Sequence, residues 1–505
     1  MVMTMTNQNQ TPLLDAVTTF IETQPTYFRI PGHRLDKGIS PRWTQMTGER
    51  LFAYDVTETP LTDDLHNPQG AIYKAQQLLQ ELYGADQSFF LVNGSTCGNE
   101  AMILSAAFEG EQIMMARNAH KSAMMGLILS GAEPVYVMPQ MIDAWGIQGG
   151  ITPKTVRDSF ETHPNCKALF LVNPSYYGIC SDLRQIADIC HEYGALLLVD
   201  EAHGGHFYFH EQLPLGALQA GADLCVQSMH KVTGALTQSS VLHVKNHRIR
   251  SEVFLRIAQN LHLVQSTSPS YLLMTSLDCA RYELAMHGTK MMDKALLLAC
   301  NTRDKINKIP GFACMTNENV YQYKDNLSEQ MKLNQAGIYG MDQTRLVISA
   351  QSLGLSGYEL DQLLFEKYAV NVELSDYKTV LAIVTYANEK KDMDKLVDAC
   401  EQISEMLFKQ QRKKEEKPIV ELSSWEVPRQ VMTPRKAYFC QTREVCWKDA
   451  IGEIAAQMIS PYPPGIPIVC PGEEISPKVW AYLEQLIKDG RQIHGMESGN
   501  IKVVR

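Results

Sequence analysis

The sequence has no long apolar run, no paired cysteine motif and no excess of basic charge. Among its 505 residues, no stretch approaches the roughly 20 consecutive apolar residues that a membrane helix needs. The opening residues also lack the basic and apolar regions of a secretory signal. Its 12 cysteines include no C-x-x-C pair and no zinc-type Cys/His spacing. We therefore expect a cytoplasmic protein with reduced thiols, no metal site and no membrane span.

Charge and composition exclude further classes of protein. The 46 Lys and Arg residues against 56 Asp and Glu give a formal net charge of -10, which does not favour a nucleic-acid or anionic-membrane surface. Hydrophobic residues at 45% and charged residues at 20% are typical of globular proteins. A wholly disordered, collagen-like or coiled-coil chain is therefore excluded.

Short apolar runs alternate with amphipathic windows from about residue 70 to 245, which is typical of strand–helix units. The predicted strands are Ser88–Val92, Gln112–Ala116, Glu133–Val137, Ala168–Val172, Ala195–Val199 and Leu224–Gln227. The predicted helices include Ile72–Leu82, Gly98–Ala107, His120–Leu129 and Leu183–His191. The pattern predicts the α/β fold class, with a doubly wound and mainly parallel sheet.

A different order of predicted strands and helices between residues 300 and 410 indicates a smaller α+β unit. Its predicted elements are strands Arg345–Ala350, Val370–Leu374 and Val380–Val384 and helices Tyr358–Lys367 and Met393–Leu407. The mixed-charge run Lys409–Pro418 predicts a linker, and the prolines of Pro461–Pro467 predict a rigid extended loop. The predicted division is an N-terminal segment (1–60), a large domain (61–300), a small domain (301–410) and a C-terminal domain (419–505).

Small and hydroxylated residues lie between the first predicted strand and the next helix. The segment from Asn93 to Gly98 includes Ser95 and Thr96. Such a segment allows close approach of an anion, to which a helix N-terminus offers free N–H groups. The spacing fits neither the dinucleotide fingerprint nor a P-loop. From the residues alone, a phosphate site and an ordinary turn that caps a helix are equally good interpretations.

Two further strand ends carry titratable residues, Asp200 and Lys231. Ligands of open α/β sheets bind outside the carboxyl ends of the strands. Each residue alone could be ordinary, as a satisfied loop carboxylate or a solvated lysine. Together with the predicted phosphate site, they are the three parts needed to hold pyridoxal 5'-phosphate: an amine for covalent attachment, an acid for the ring nitrogen and a phosphate cradle.

Collinear segments across the chain support this interpretation. They include FRIPGHR (28–34), LTDDLHNPQGAI (61–72), NGSTCGN (93–99), RNAHKSA (117–123), DEAHGGH (200–206), SMHKVTGALTQ (228–238), QSTSPSYLLMTSLD (265–278), GLSGYELD (354–361), VELSD (372–376) and PYPPGIPIVCPGE (461–473). With these segments the chain resembles the fold-type I, pyridoxal phosphate-dependent ornithine/lysine/arginine decarboxylases, in the shorter bacterial form without an N-terminal wing domain. The resemblance implies an aspartate aminotransferase-like large domain followed by smaller α+β domains.

The resemblance also implies a role for each matching residue. Lys231 would attach the coenzyme, Asp200 would pair with its ring nitrogen, and Ser95, Thr96, Ser228 and His230 would hold its phosphate. His120 would stack on the ring, Ala202 would contact the opposite face, and His203 would lie near the phenolic oxygen or the substrate carboxylate. His230 or Lys231 would return a proton to the substrate. Without the resemblance, His120 is better interpreted as a helix-start histidine bonded to a local backbone group.

The implied reaction converts arginine, lysine or ornithine to agmatine, cadaverine or putrescine and CO2, with arginine slightly preferred because of the short form. The substrate cation needs a carboxylate partner. The candidates are Asp63, Asp64, Glu373, Glu473 and Glu474, of which Asp63 or Asp64 and Glu473 are favoured, although each could be an ordinary surface or capping acid. A homodimer with active sites at the subunit interface is expected. The alternatives are another fold-type I enzyme, such as an aminotransferase or lyase, and a non-catalytic regulator of polyamine synthesis.

Overall fold

The structure is a computed structural model that describes residues 7–48, 50–245, 251–320, 337–409, 427–461, 465–488 and 490–505. The helices are α1 (Pro12–Glu22), α2 (Pro41–Thr47), α3 (Arg50–Ala53), α4 (Ala71–Tyr83), α5 (Gly94–Ala106), α6 (Lys121–Ser130), α7 (Pro153–Thr162), α8 (Leu183–Glu192), α9 (Ala217–Ala220), α10 (Met229–Val232), α11 (Ser251–Val264), α12 (Tyr271–Ile306), α13 (Gly357–Tyr368), α14 (Lys390–Lys409), α15 (Pro434–Phe439) and α16 (Pro477–Lys488). The strands are β1 (Gln87–Leu91), β2 (Gln112–Ala116), β3 (Glu133–Val137), β4 (Met141–Ile142), β5 (Ile147–Gln148), β6 (Ala168–Val172), β7 (Ile179–Cys180), β8 (Leu196–Asp200), β9 (Leu224–Gln227), β10 (Ser240–Val244), β11 (Ala313–Cys314), β12 (Gly340–Met341), β13 (Arg345–Ser349), β14 (Leu374–Ser375), β15 (Val380–Ile383), β16 (Thr442–Cys446), β17 (Ser460–Pro461), β18 (Ile493–His494) and β19 (Asn500–Val504).

The large domain is built on a seven-stranded sheet with the order β1-β10-β9-β8-β6-β2-β3. The five strands from β9 to β3 in that order are parallel, whereas β10 pairs antiparallel with both β9 and β1. The predicted mainly parallel sheet is therefore confirmed. The antiparallel strand β10 was not predicted, although all five of its residues are buried.

Alternate residues of the central strands enter two different cores, as the two-residue repeat of a strand requires. In β8, Leu197 and Val199 belong to one buried cluster and Leu198 belongs to the other. Helices cover both faces, so the apolar side chains on each face of these strands pack in a buried cluster. Each buried aliphatic side chain contributes about 1.5–3 kcal/mol, and both faces together hold the strand ends in place.

Three element boundaries differ from the predictions in ways that matter for the site. Helix α5 begins at Gly94, not Gly98, because the small residues there form its first turn. Strand β8 ends at Asp200, which places that carboxylate inside the sheet. The predicted strand Val370–Leu374 is wrong: strand pairing includes only Leu374 and Ser375, since Val370 N–H instead caps α13 by donating to Leu364 O.

The rest of the chain forms two smaller layers. Strands β11, β13, β15 and β14 make an antiparallel sheet with its own buried cluster. Strands β16 and β19 pair beside α16 over another cluster. Helix α12 runs through residue 300, where the predicted boundary of the large domain falls. The predicted linker after Lys409 and the middle of the proline cluster, residues 462–464, lie outside the described residues.

Two further features concern the apolar character of the helices and the state of the cysteines. Within the described ranges, no helix combines the length and the apolar character that crossing a bilayer requires, and this holds for the 36-residue α12 too. All twelve cysteines are free thiols, and most of them are buried. They pack as small hydrophobic residues, as predicted.

Candidate active site

Lys231 lies in the short helix α10, directly after β9. Its Nζ is 3.0 Å from His203 Nε2 and 5.6 Å from the centre of the Tyr176 ring. Burial lowers the pKa of Lys231, while the charges of Asp200 and Glu373 act in the opposite direction. A lowered pKa increases the fraction of neutral amine, which is the nucleophilic form.

Asp200 lies at the carboxyl end of the neighbouring strand β8 and is 3% exposed. Its Oδ2 accepts a hydrogen bond of 2.8 Å from Asn99 Nδ2, and its Oδ1 accepts one of 3.1 Å from Ala202 N. Burial raises the pKa of Asp200, whereas the Lys231 charge and these two hydrogen bonds lower it. A buried carboxylate in this setting is stabilised further by a cation placed against it.

His120 precedes α6 and caps it. Its Nδ1 lies 3.3 Å from Ser122 N and 2.9 Å from Ser122 Oγ, and Ser122 Oγ in turn accepts from Asn99 Nδ2 at 2.9 Å. Hydrogen bonds therefore join His120 to Asp200 through two polar side chains. The capping contact is the local one that the alternative interpretation predicted. It is compatible with stacking, because it uses a ring nitrogen and not the ring face.

The His120 ring is neutral at ordinary pH. Burial and the charges of two nearby lysines lower the pKa of His120 to about 4. The deprotonated Nδ1 accepts from Ser122, so the proton of the neutral ring is on Nε2. A neutral imidazole adds no positive charge beside Lys231, so the lowered pKa of that amine comes from burial and not from His120.

Three serine hydroxyls meet at the N-terminus of α5. Ser95 Oγ is 2.7 Å from Ser228 Oγ and 3.2 Å from Ser240 Oγ. Ser95 and Thr96 are in the first turn of this 13-residue helix, where backbone N–H groups have no helical acceptor. Hydroxyl donors, free N–H groups and the positive end of the helix dipole together suit a bound anion.

The two remaining predicted histidines, His230 and His203, make different contacts. His230 Nδ1 donates to Ser239 O at 3.0 Å, which places its proton on Nδ1, and burial lowers the pKa of His230. Burial and the Lys231 charge also lower the pKa of His203 well below its usual range. His203 Nδ1 is buried and has no hydrogen-bond partner among the described residues. An unpaired buried ring nitrogen of this kind suits a site that receives a polar ligand.

The acids predicted to bind the substrate cation are not gathered at Lys231. Asp63 accepts hydrogen bonds from four backbone N–H groups at the start of α4, with distances of 2.7 to 3.2 Å. Asp64 accepts one from His66 N at 2.8 Å. Since Asp63 Oδ1 and Oδ2 both hold backbone groups, Asp63 acts in this structure as a helix-capping residue.

The acids near the C-terminus also have protein partners. Glu473 is fully buried and its Oε2 lies 3.0 Å from Arg117 Nη2, while Glu474 pairs with Arg429 at 2.9 Å. Glu473 thus forms an internal ion pair, which weighs against its predicted contact with substrate. Glu373, by contrast, is exposed and lies close enough to Lys231 for its charge to raise the pKa of that lysine.

Sequence reasoning missed several residues that the structure brings to the site. Asn99 and Ser122 lie inside the quoted segments NGSTCGN and RNAHKSA, but only their contacts reveal that they connect Asp200 to His120. Ser240 belongs to the strand that was not predicted. Tyr176 follows a predicted strand, and its ring packs 4.6 Å from that of His203. An aromatic residue after a buried strand was the only signal for it.

The arrangement combines an amine of lowered pKa, a buried carboxylate and an anion site at neighbouring strand ends. These three groups can bind a molecule that has a carbonyl, a basic ring nitrogen and a phosphate. The amine can react with the carbonyl, the carboxylate stabilises a protonated ring nitrogen, and the serine cluster accommodates the phosphate. The donor set therefore fits pyridoxal phosphate.

Comparisons with known sequences cover nearly the whole chain. The family model described as Orn/Lys/Arg decarboxylase, major domain, matches residues 11–392, and that for the C-terminal domain matches residues 419–500. The arginine decarboxylase of Bacillus subtilis is 36% identical over 499 residues, which covers 99% of this chain and 98% of the relative. The arginine decarboxylase of Halalkalibacterium halodurans is 37% identical over 501 residues, with coverage of 99% and 98%.

Solved structures show the same fold at lower identity. The constitutive lysine decarboxylase of E. coli is 20% identical with a TM-score of 0.82, and the match covers 98% of this chain and 82% of that one. An alanine–glyoxylate aminotransferase from Nostoc has 16% identity and a TM-score of 0.52, with coverage of 69% and 89%. The predicted aminotransferase-like α/β fold is therefore confirmed.

Proposed function

The chain belongs to the Orn/Lys/Arg decarboxylase family, and on that premise we propose that it decarboxylates arginine to agmatine with pyridoxal 5'-phosphate as its coenzyme. The observation that carries the proposal is the Lys231 amine, which lies 3.0 Å from His203 Nε2 and is close enough to Asp200 for that charge to raise its pKa. Arginine is favoured over lysine and ornithine because full-length relatives at 36% and 37% identity are arginine decarboxylases.

Lys231, Asp200 and the serine cluster would hold the coenzyme at three points. Lys231 would attach it, Asp200 would accept a hydrogen bond from its protonated ring nitrogen, and Ser95 and Ser228 would bind its phosphate. When bound, the coenzyme supplies a cationic ring that withdraws the electron pair of the bond to the departing carboxylate. Asn99 and Ala202 N–H fix the orientation of Asp200 toward that ring.

His120 and Ala202 would contact opposite faces of the ring, as the family resemblance implies. The neutral His120 ring can stack without repelling the cationic heterocycle, because its pKa of about 4 keeps it uncharged. Ala202 is 7% exposed and small enough to permit close approach. His203 would use its unpaired Nδ1 toward the phenolic oxygen or the substrate carboxylate.

His230 and Lys231 are the two residues that could return a proton to the substrate carbon. The Ser239 carbonyl holds the His230 proton on Nδ1, so only Nε2 can take up and deliver a second proton. Because burial lowers the pKa of His230, its charged form is scarce at neutral pH but strongly acidic. We therefore expect a His230→Gln variant to slow turnover while retaining coenzyme.

Glu373 is the acid that we propose for the guanidinium end of the substrate. It is exposed, it belongs to the domain that packs over the site, and its charge acts on Lys231. Asp64 is the second candidate, since it accepts a single hydrogen bond from His66 N. Glu373→Gln should raise KM for arginine with little loss of coenzyme, whereas Glu366→Gln, an exposed acid on α13, should leave KM unchanged.

The N-terminal segment supports a homodimer. Phe28 is 86% exposed and Met46 is 82% exposed, and Ile30 and Trp43 are also largely exposed. Large apolar side chains gathered in one short segment usually belong to an interface. We expect light scattering to give the mass of a dimer or a larger homo-oligomer, and a monomeric result would contradict the proposal.

One substrate panel tests the proposed reaction. Purified protein with pyridoxal phosphate is incubated separately with arginine, lysine and ornithine, and both CO2 and the amine product are measured. We expect CO2 and agmatine in equal amounts, with arginine giving the highest kcat/KM. Formation of a keto acid without CO2 would instead support an aminotransferase, and no turnover of any substrate would support a non-catalytic regulator.

A further inference from the structure

Helix α6 has His120 as its N-cap, and residues from the far end of the chain contact both the loop before this helix and its last turn. The loop that connects β2 to α6 begins at Arg117, only three residues before His120. Helix α15, by contrast, lies more than 300 residues later and packs against α6. The C-terminal region is therefore connected to the proposed coenzyme site through α6.

In the loop before α6, Arg117 is 1% exposed, and both of its terminal guanidinium nitrogens reach into the C-terminal region. Its Nη1 donates to Pro467 O at 2.5 Å, and its Nη2 donates to Ile468 O at 2.9 Å and to Glu473 Oε2 at 3.0 Å. Glu473 is 0% exposed, and its Oε2 also accepts from Cys470 N at 2.7 Å. Three acceptors on one segment fix the position of this side chain.

At the other end of α6, Arg435 donates from Nη1 to Ile128 O at 3.0 Å and to Leu129 O at 2.9 Å. Carbonyls in the last turn of a helix have no N–H donor within the helix, and a cation there also complements the helix dipole. Arg435 is part of α15 (Pro434–Phe439). The C-terminal region thus holds both the loop before this 10-residue helix and the last turn of the helix itself.

Apolar contacts join the same elements between those two points. Cys470 is buried in the cluster that contains Ala123, Met124 and Leu127 of α6. A tightly packed core transmits displacement, so movement of this segment would move the helix with it. Position and tilt of α6 therefore depend on residues that come from the C-terminal region.

We propose that the C-terminal region positions His120 by holding the loop before α6 and the last turn of α6, and that Glu473 is a positioning residue that acts through Arg117. The proposal rests on the proposed function, because it concerns how His120 is presented to the coenzyme. It also gives Glu473 a different role from the predicted contact with substrate: Glu473 sets the place of the loop that carries the stacking ring.

The first test uses the protein without coenzyme. Hydrogen–deuterium exchange of residues 117–130 is compared among the wild type, Glu473→Gln, Arg435→Ala and the matched control Arg443→Ala. Arg443 instead pairs with Glu453 at 2.7 Å, where both side chains are accessible to solvent on the surface of the same region. We expect faster exchange of this segment in the first two variants and no change in the control. Unchanged exchange in both would overturn the proposal.

The second test is a double-mutant cycle that combines Glu473→Gln with His120→Ala. The measured quantity is the dissociation constant of the coenzyme, obtained by absorbance titration. If Glu473 acts through His120, Glu473→Gln weakens coenzyme binding about tenfold in the wild type but less than about twofold in the His120→Ala background, because coupled residues are non-additive. An equal loss in both backgrounds contradicts the proposal and marks a general structural role.

The two tests still decide the proposal if a variant does not fold or if the wild type does not bind coenzyme. If Glu473→Gln does not fold, Arg435→Ala takes its place in the same cycle, since Arg435 is only partly buried and its loss removes two hydrogen bonds. If the wild type fails to bind coenzyme, the proposed function fails, but the exchange measurement on the protein without coenzyme still decides whether the C-terminal region holds α6.

Discussion

Two buried arginines connect the large domain to the two smaller layers, and they differ in how their acid partners are held. Arg345, at the start of β13, donates from Nε to Asp342 Oδ2 and from Nη2 to His203 O, both at 3.1 Å. Arg117 pairs with Glu473 in the C-terminal region. Each arginine therefore supports a segment that carries a histidine of the site. The acid partner of Arg345 lies in the small domain, and that of Arg117 lies in the C-terminal region.

The acid of the first pair has more partners. Asp342 accepts from Thr344 N at 3.0 Å and from Thr344 Oγ1 at 2.6 Å, and its Oδ2 lies 3.1 Å from His206 Nε2. Burial alone would raise the pKa of Asp342, but His206, Arg345 and Thr344 together lower it. Burial raises the pKa of Glu473, and Arg117 only partly opposes that effect. The donors around Asp342 therefore outweigh the effect of burial on its pKa, whereas those around Glu473 do not.

The largest expected effect follows from breaking the better-held pair. Asp342→Asn leaves the Arg345 guanidinium buried without a charge partner, and we expect it to lower the free energy of unfolding by about 3–5 kcal/mol. Urea unfolding of the protein without coenzyme, followed by circular dichroism, measures this loss. A loss no larger than that of Glu473→Gln would remove the distinction between the two arginine pairs.

The comparison extends to the pH dependence of stability through His120, which the Arg117 segment carries. The pKa of His120 is lowered from 6.5 to about 4, so the folded state takes up its proton later than the unfolded chain. This group then contributes stability above pH 6.5 that is lost as pH falls toward 4, in total about 3 kcal/mol. His120→Phe should remove this part of the pH dependence. Unfolding free energies at pH 7.5, 5.5 and 4.5 check it, and parallel curves for the two proteins would contradict the assignment.

A smaller effect is expected for the less well-held pair. Glu473→Gln keeps the side chain's shape and one acceptor oxygen, and Glu473 has fewer hydrogen-bond donors around it than Asp342, so we expect a loss of about 1–3 kcal/mol. Thermal unfolding beside Asp342→Asn gives the comparison directly. A greater loss for Glu473→Gln would show that the C-terminal pair is the stronger one.

The smallest effect is expected for an exposed pair of the same chemistry. Arg443 contacts both carboxylate oxygens of Glu453 at 2.8 and 2.7 Å, but both side chains are accessible to solvent. Arg443→Ala should cost less than about 1 kcal/mol. The same unfolding assay at low and high salt measures it, and a cost comparable with that of Asp342→Asn would mean that burial does not govern these pairs.

Most strands of the large domain could be predicted because parallel strands buried on both faces appear as short apolar runs, as in Ala168–Val172. Strand β10 was missed since its five residues include Ser240 and His243, whose polar side chains are satisfied only by distant partners such as Ser88 Oγ at 2.7 Å. Pairing across 155 residues leaves no local signal.

The site, like the fold, contains residues that could be predicted from the sequence and residues that could not. Lys231 and Asp200 could be predicted because each follows a strand and each has a chemical reason to lie there. Asn99 and Ser122 could not, since their connection of Asp200 to His120 exists only after folding. Glu473 was assigned to substrate from its position beside the proline-rich tail, but its Arg117 partner is 356 residues away. Charge pairing over such a distance cannot be inferred from one sequence.

Covalent attachment of the coenzyme to Lys231 is the central claim, and one measurement tests it directly. Purified protein is incubated with pyridoxal phosphate, reduced with borohydride, digested and analysed by mass spectrometry. The account predicts a reduced phosphopyridoxyl group on the peptide that contains Lys231, and none on that peptide in a Lys231→Ala variant. An adduct confined to other lysines, or no adduct in the wild type, would contradict it.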